Sequence, residues 1–435
     1  STVPRPGAGH GACGAGCAEA SGAGQDGEGA APGAEAEGAP EGDGGPVVRE
    51  DPEREGLVFA GMERGLYLSF DSGRSWRAFQ TNLPIVPITD LMVRRNDLVL
   101  ATQGRAFWVI DDISPLRQYD AAQESAPAHF YAPSPAYRMT PTKGRTSGGE
   151  SAAPSAPAGA VLYYTLADEA DLEEDSLRLE ILDSDGEVLR TLETDAKKGV
   201  EGGGSATGYA LPAEAGVNRA VWDLRTAGTA PLDYDIVFGA AGREKSIQGY
   251  HVAPGTYTVR LSYGDVVQEH DLELRWDPVY DYDAGRIAAQ QSFLAEAFDM
   301  IDALYRRIGA LQAIEKQVEL RKELAEEAGN DNLVEAADEL LGALEDWQRS
   351  VTTPDRETFQ DVLNFAPRID AFLTNVYQQA DDAVLGLTEG QRDRLDDLRP
   401  QWEAALEAWT TLMEQDVPAF NALAGPAVAV PAWDE

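Results

Sequence analysis

The sequence predicts a chain of several domains, β-structured through its first two thirds and helical in its last third. Three observations carry this. Short apolar runs closed off by Gly, Asp and Asn fill residues 56–112 and again 160–277. From residue 284 the apolar spacing lengthens to a seven-residue repeat. Stretches rich in Gly, Ala, Pro and Ser, without apolar periodicity, lie before and between these blocks. The expected class is multidomain β plus α: one or more partial β-propeller blades, an immunoglobulin-like β-sandwich and a C-terminal antiparallel helical bundle.

Residues 1–50 read as a disordered leader of Gly, Ala and acidic residues. The unit 51–112 holds five short strand candidates: Leu57–Ala60, Leu66–Leu68, Asp90–Val93, Leu98–Ala101 and Phe107–Ile110. That number suits one propeller blade plus a strand of the next. A blade has two faces, and one blade alone cannot bury both. Residues such as Phe59, Leu91 and Trp108 are expected on an uncovered face. Residues 113–159 are punctuated by seven prolines and read as a strap or linker, docked at His129-Phe130-Tyr131.

The unit 160–278 resumes the β pattern. Leu177–Leu182 alternates cleanly, meets the turn Asp183-Ser184-Asp185-Gly186 and returns through Val188–Leu192, which is a hairpin. Val161–Leu166, which alternates weakly, Gly216–Asp223, Pro254–Leu261, Val266-Val267 and Leu272–Leu274 add strands. About seven strands at this spacing suit a sandwich. Residues 284–420 are the bundle. Ile287, Leu294, Ile301 and Ile308 repeat every seven residues, as do Ala297, Leu304, Leu311 and Val318. Thr353-Pro354 is expected to open a third helix, and Thr388-Glu389-Gly390-Gln391 has the form of a capping box opening a fourth. Pro367 and Pro400 are expected to kink these two helices.

The formal charge is −40, from 75 acidic and 35 basic residues, and only six of the basic residues are lysines. With no basic patch to neutralise phosphates, nucleic acid is excluded as a partner. This composition suits a high-GC or salt-adapted microbe, or else an ordinary acidic secreted protein. No apolar run is long enough for membrane insertion, and no signal-peptide pattern follows Ser1. Cys13 and Cys17 make neither a disulfide framework nor a metal site. No cofactor or metal is expected. Nucleophile elbows, zinc-protease helices and phosphate loops are absent from the sequence, so no catalytic residue is assigned.

Residues 69–76 read Ser-Phe-Asp-Ser-Gly-Arg-Ser-Trp. Asp71-Ser72-Gly73 is turn chemistry: the Asp side chain can bond the backbone two residues on, and Gly accepts positive φ. Ser69 and Ser75 can bond across the turn, and Trp76 can fold back over it. Ser69, Asp71, Gly73, Ser75 and Trp76 thus form a structural clamp. The box resembles the Asp-box, or bacterial neuraminidase repeat, of sialidases and of the sortilin ectodomain. There it recurs once per blade on the outer rim, away from the active centre.

Further segments resemble the C-terminal third of large exported microbial proteins with Asp-box propellers of the sortilin or glycosyl-hydrolase-like type. They are Leu57–Tyr67, Leu83-Pro84, Pro87–Leu91 and Ala101–Asp112, with Asn218–Arg225 and Pro254–Tyr257 in the sandwich. The sandwich itself resembles the Ig-like module of flagellar hook-capping proteins. The resemblance implies an exported, non-catalytic binding and scaffolding region. Its partners would be the missing propeller blades of the same protein and a protein or glycan ligand. The alternative it implies is the accessory region of a sialidase-like or other glycoside hydrolase with its catalytic residues in those blades. Arg64 and Arg105 are the candidate binding residues. One blade cannot surround a sugar, although Glu63, Tyr67 and Asp90 have residue types a sialidase uses.

Overall fold

The computed structural model describes residues 4–6, 47–139, 157–167, 177–194, 211–232, 236–238, 242–244, 246–355, 364–425 and 428. Cys13 and Cys17 lie outside them.

The first β unit is two small antiparallel sheets. One runs in chain order through β2 (Val47–Glu50), β3 (Val58–Met62), β4 (Gly65–Ser69) and β5 (Arg77–Ala78). The other runs through β6 (Ile88–Arg94), β7 (Asp97–Thr102) and β8 (Phe107–Ile110), with β1 (Pro4–Pro6) along the edge of β8. Each strand alternates between faces, and one face of each sheet feeds a shared core. Leu57, Phe59, Leu66 and Leu68 meet Leu91, Leu98, Leu100 and Ile110 there. The sheets approach so closely at Gly61 that a Cβ would lie 2.5 Å from Ile88 Cγ2. Two expectations change. The strands divide between two sheets instead of forming one blade and a spare strand. Strands also lie inside the stretch read as a disordered leader: Pro4–Pro6 pairs with β8, and the β-branched pair Val47-Val48 pairs with Gly61 and Ala60.

The Pro-rich strap is also more structured than its composition suggests. It opens with α1 (Ser114–Gln118), which has Pro115 in its first turn, and a 3-10 turn at Ala121–Ser125. Arg117 from α1 reaches between the sheets. It donates to both carboxylate oxygens of Asp51 at 3.0–3.1 Å, to Glu53 and Asn96, and to the Arg95 carbonyl. The Asp51 side chain is fully buried, so this fork supplies its counter-charge. The strap then supplies β9 (Ala128–Phe130) and β10 (Ala136–Arg138) to the next unit.

That unit has two main sheets around one core. β9 pairs with β11 (Ala160–Leu166), which pairs with β14 (Gly216–Trp222). The larger sheet runs β10, β18 (Val266–Trp276), β17 (Gly255–Tyr263), β12 (Leu177–Leu182), β13 (Val188–Glu193), antiparallel except for β10 with β18. Phe130, Leu162, Tyr164 and Trp222 from the smaller sheet pack on Leu179, Ile181, Leu261 and Leu272 from the larger. A two-stranded ladder, β15 (Ile236–Phe238) with β16 (Gly242–Glu244), stands apart from them. The hairpin turn at 183–187 is closed by Asp183, whose Oδ1 accepts from the N–H of Asp185 and Glu187 at 2.9 Å each.

The helical region is built on α2 (Ala284–Ala328), 45 residues long, capped by Asp283 and ended by Gly329 in the left-handed conformation. Its seven-residue series are buried throughout. Packed with it are α3 (Asp331–Val351), α4 (Ile369–Asp381), α5 (Glu389–Thr411) and, after a π turn at Leu412–Asp416, α6 (Val417–Ala424). Thr388 forms the capping box with Gln391. Pro367 stands before α4 and not inside it; the residue ahead of a proline avoids helical backbone, so the helix starts two residues beyond it. Residues 356–363, where the helix expected after Pro354 would run, lie outside the described residues. No described helix is long and apolar enough to cross a membrane.

Candidate functional site

The box residues come together around one carboxylate. Asp71 Oδ1 accepts from the Ser69 hydroxyl at 2.7 Å and the Ser75 N–H at 2.9 Å, while Oδ2 accepts from the Ser75 hydroxyl at 2.6 Å. Ser69 Oγ in turn accepts from the Gly73 N–H at 2.9 Å. Gly73 has φ +85°, and a Cβ there would sit 3.3 Å from the Trp76 ring, so the indole lies against the turn. The Ser75 and Ser69 hydrogen bonds favour the ionised form of Asp71 and hold its pKa at about 2. The Asp71 carboxylate and the Ser69 hydroxyl are thus spent on the turn's own backbone and hydroxyls.

Arg64 is exposed in the turn between β3 and β4, and Arg105 is exposed in the turn between β7 and β8. Arg105 contributes its carbonyl, which accepts from Trp108 Nε1 at 3.0 Å. The two arginines stand on different sheets. Asp90 is paired with Arg49 at 3.1 Å. Among the described residues no group of three or more His, Cys, Asp or Glu side chains is placed to hold a metal.

A second buried polar constellation lies where the second β unit meets the helices. Asp381, the last residue of α4, is almost fully buried. Its Oδ1 accepts from the His251 N–H at 2.8 Å. Its Oδ2 accepts from Arg225 Nη1 at 2.8 Å and faces His251 Nδ1 at 2.9 Å. Burial alone would raise the Asp381 pKa. The His251 hydrogen bonds and the His251 and Arg225 charges outweigh it and bring the carboxyl to about 2. Around this triad, Gln291 donates to the His251 carbonyl, the Tyr377 hydroxyl to the Gln248 carbonyl, and Gln290 to the carbonyls of Ala380 and Ala383. The segment 247–252 is thereby tied to α2 and α4. Beside it opens a small cleft of about 50 Å³, lined in part by Arg138, His251, Trp276, Tyr282, Gln290 and Asp381. His251 and Asp381 could relay a proton, and among the described residues no Ser, Cys or Thr lines the cleft to serve as a nucleophile.

Sequence reading missed this place. Its members are spread over more than 200 residues, and one signal existed: Gln290 stands seven residues before Ala297, at a position where that series is otherwise apolar.

No protein-family model matches the chain, and no curated protein matches it. Among solved structures it is similar to PorZ of Porphyromonas gingivalis, an essential bacterial surface component of the type-IX secretion system. The identity is 15% and the TM-score 0.16, over 52% of this chain and 22% of that one. It is also similar to the extracellular domain of a B. thetaiotaomicron protein described as a hybrid two component system, at 11% identity and TM-score 0.13, over 52% and 24%. The chain spans less than a quarter of the length of either. Scores this low leave the argument to the residues themselves.

Proposed function

We propose that this chain is a non-catalytic binding and scaffolding region of an exported Asp-box propeller protein. In this reading the two small sheets are neighbouring blades, the two-sheet unit is an Ig-like sandwich and the helices are an antiparallel bundle. The partners are further blades of the same protein.

One observation carries the reading. On the face opposite the core the second sheet carries an apolar patch, bordered by Asp90 on one side and by Arg94 and Asp97 on the other. Met92, Val99 and Val109 stand in register across β6, β7 and β8, with Phe107 beside Ala101 on the same face. Met92 is 55% and Phe107 61% exposed. A sheet face of this kind suits a second sheet packed upon it. The residues expected to be uncovered, Phe59, Leu91 and Trp108, belong instead to the inner core or pack on it; the strand period put the open face one residue out of step with them.

The test compares the chain with its Met92→Ser/Phe107→Ser variant by sedimentation velocity and hydrophobic-dye fluorescence. The wild type is expected to self-associate or bind dye, and the variant to do so several-fold less. Strictly monomeric behaviour with equal, low dye binding for both would contradict the docking face.

A further inference from the structure

The cleft beside Asp381 is balanced in charge. The carboxylates of Asp381 and Asp382 line it, and so does the guanidinium of Arg138. Asp381 is spent on Arg225 and His251. That sets Arg138 against Asp382 around a volume of about 50 Å³. An anion drawn to Arg138 meets the Asp382 charge, and a cation drawn to Asp382 meets the Arg138 charge. Each bears a Coulombic cost that a neutral group escapes.

Two groups lining the cleft have hydrogen-bonding capacity to spare. Arg138 donates to the Val252 carbonyl at 3.2 Å, and among the described residues its other N–H groups have no acceptor. His251 is pinned at Nδ1 by Asp381, 2.9 Å away. An ionised carboxylate only accepts, so Nδ1 carries the hydrogen, and in the neutral ring Nε2 keeps a lone pair. Unlike Gln290 Oε1, which is sealed in, neither Nε2 nor the spare Arg138 nitrogens are closed off from the cleft. A hydroxyl answers both at once: its hydrogen goes to Nε2, and its oxygen accepts from Arg138.

The mouth of the cleft is apolar. Trp276 and Tyr282 stack at 4.2 Å with their planes 23° apart, and Tyr280 meets Tyr282 edge-on at 6.1 Å. Met139 is exposed on the same wall. The negative faces of such rings favour the hydrogens of C–H bonds and repel a carboxylate.

We propose that this cleft binds the end of a neutral sugar, with a hydroxymethyl group held between His251 and Arg138 and the sugar ring laid on the Trp276–Tyr282 wall outside. A volume of about 50 Å³ holds a few water-sized groups, enough for a hydroxymethyl and too little for a ring. The proposal is independent of the docking face on the second sheet, since it rests on other residues in another part of the molecule.

Ligand-observed NMR titration of the full chain with four pyranosides that differ only in the group on C5 tests it. Methyl β-glucopyranoside carries a hydroxymethyl there, methyl β-xylopyranoside a hydrogen, methyl β-glucuronopyranoside a carboxylate, and methyl 6-amino-6-deoxy-β-glucopyranoside an ammonium-bearing carbon. All are equatorially substituted, so each presents C–H bonds on both ring faces. The glucoside should bind about tenfold more tightly than the xyloside, the factor expected of the hydrogen bonds to His251 and Arg138. Both charged sugars should bind more weakly than the glucoside. Equal or tighter binding of either charged sugar would overturn the preference for a neutral group. Equal binding of glucoside and xyloside, or no binding of the glucoside, would overturn the site. These comparisons need only the wild-type protein. Arg138→Met should keep its melting curve and lose the preference for glucoside over xyloside; a folded variant that keeps the preference would refute the role given to Arg138.

Discussion

Asp71 and Asp381 show how differently a carboxylate can be legible. The Asp71 partners lie within four residues of it, so turn chemistry read along the chain finds all of them. Asp381 meets groups 130 and 156 residues away, and nothing in its local sequence distinguishes it from the Asp that follows. Both have depressed pKa values, so each contributes stability that is present above the ordinary carboxylate range. That contribution is lost as pH falls from about 4 toward about 2. Trp76→Ala is expected to destabilise the first β unit by about 1–3 kcal/mol, less than a fully buried Trp would cost, because the ring is half-buried. Its melting curve checks this; an unchanged midpoint would mean the indole covers nothing. Asp381→Asn keeps the shape of the junction but leaves Arg225 facing a neutral group. A loss of about 2–4 kcal/mol is expected in thermal unfolding followed at the helices, and a loss within error would show that the junction is held by packing alone.

Elements were legible where one face is apolar and the pattern is unbroken. The hairpin 177–193 and the long helix α2 are of this kind. Strand β18 was read as two pieces because Gln268 and His270 interrupt its inward face. Both polar side chains are used there: Gln268 Oε1 accepts from the Phe130 N–H at 2.7 Å, and His270 Nε2 faces the Phe130 carbonyl at 3.0 Å, so they tie the short strand β9 to the larger sheet. The strap was misread for a similar reason. Prolines hide three-residue strands whose pairing partners lie up to 138 residues on. Within α2, Glu315 is partly buried near Glu319 and Glu345; burial first, then those charges, push its carboxyl up to about 7. Between about pH 4.5 and 7 the folded state therefore holds a proton that the unfolded chain has released, so this residue makes stability fall as pH rises through that window. Glu315→Gln should remove that slope and raise stability at pH 8 by about 1–3 kcal/mol. Parallel stability–pH curves for variant and wild type would show that Glu315 is solvated and ionised throughout.

At the scale of the whole molecule, three cores follow one another along the chain: two small sheets, a two-sheet unit and a helical region. The order and the approximate boundaries of these units were readable from the change in apolar period. The junction of the second and third was not, because it depends on a few buried polar groups, Asp381 with Arg225 and His251, just as Arg117 with Asp51 joins the two sheets inside the first. The proposed role rests on the exposed apolar patch of the second sheet, around Met92 and Phe107. Binding without turnover is the central claim, and assay of purified 1–435 against a panel of fluorogenic glycosides, sialosides included, tests it most directly. The account predicts no release of fluorophore above the protein-free rate. Turnover that a single carboxylate substitution abolishes would contradict it.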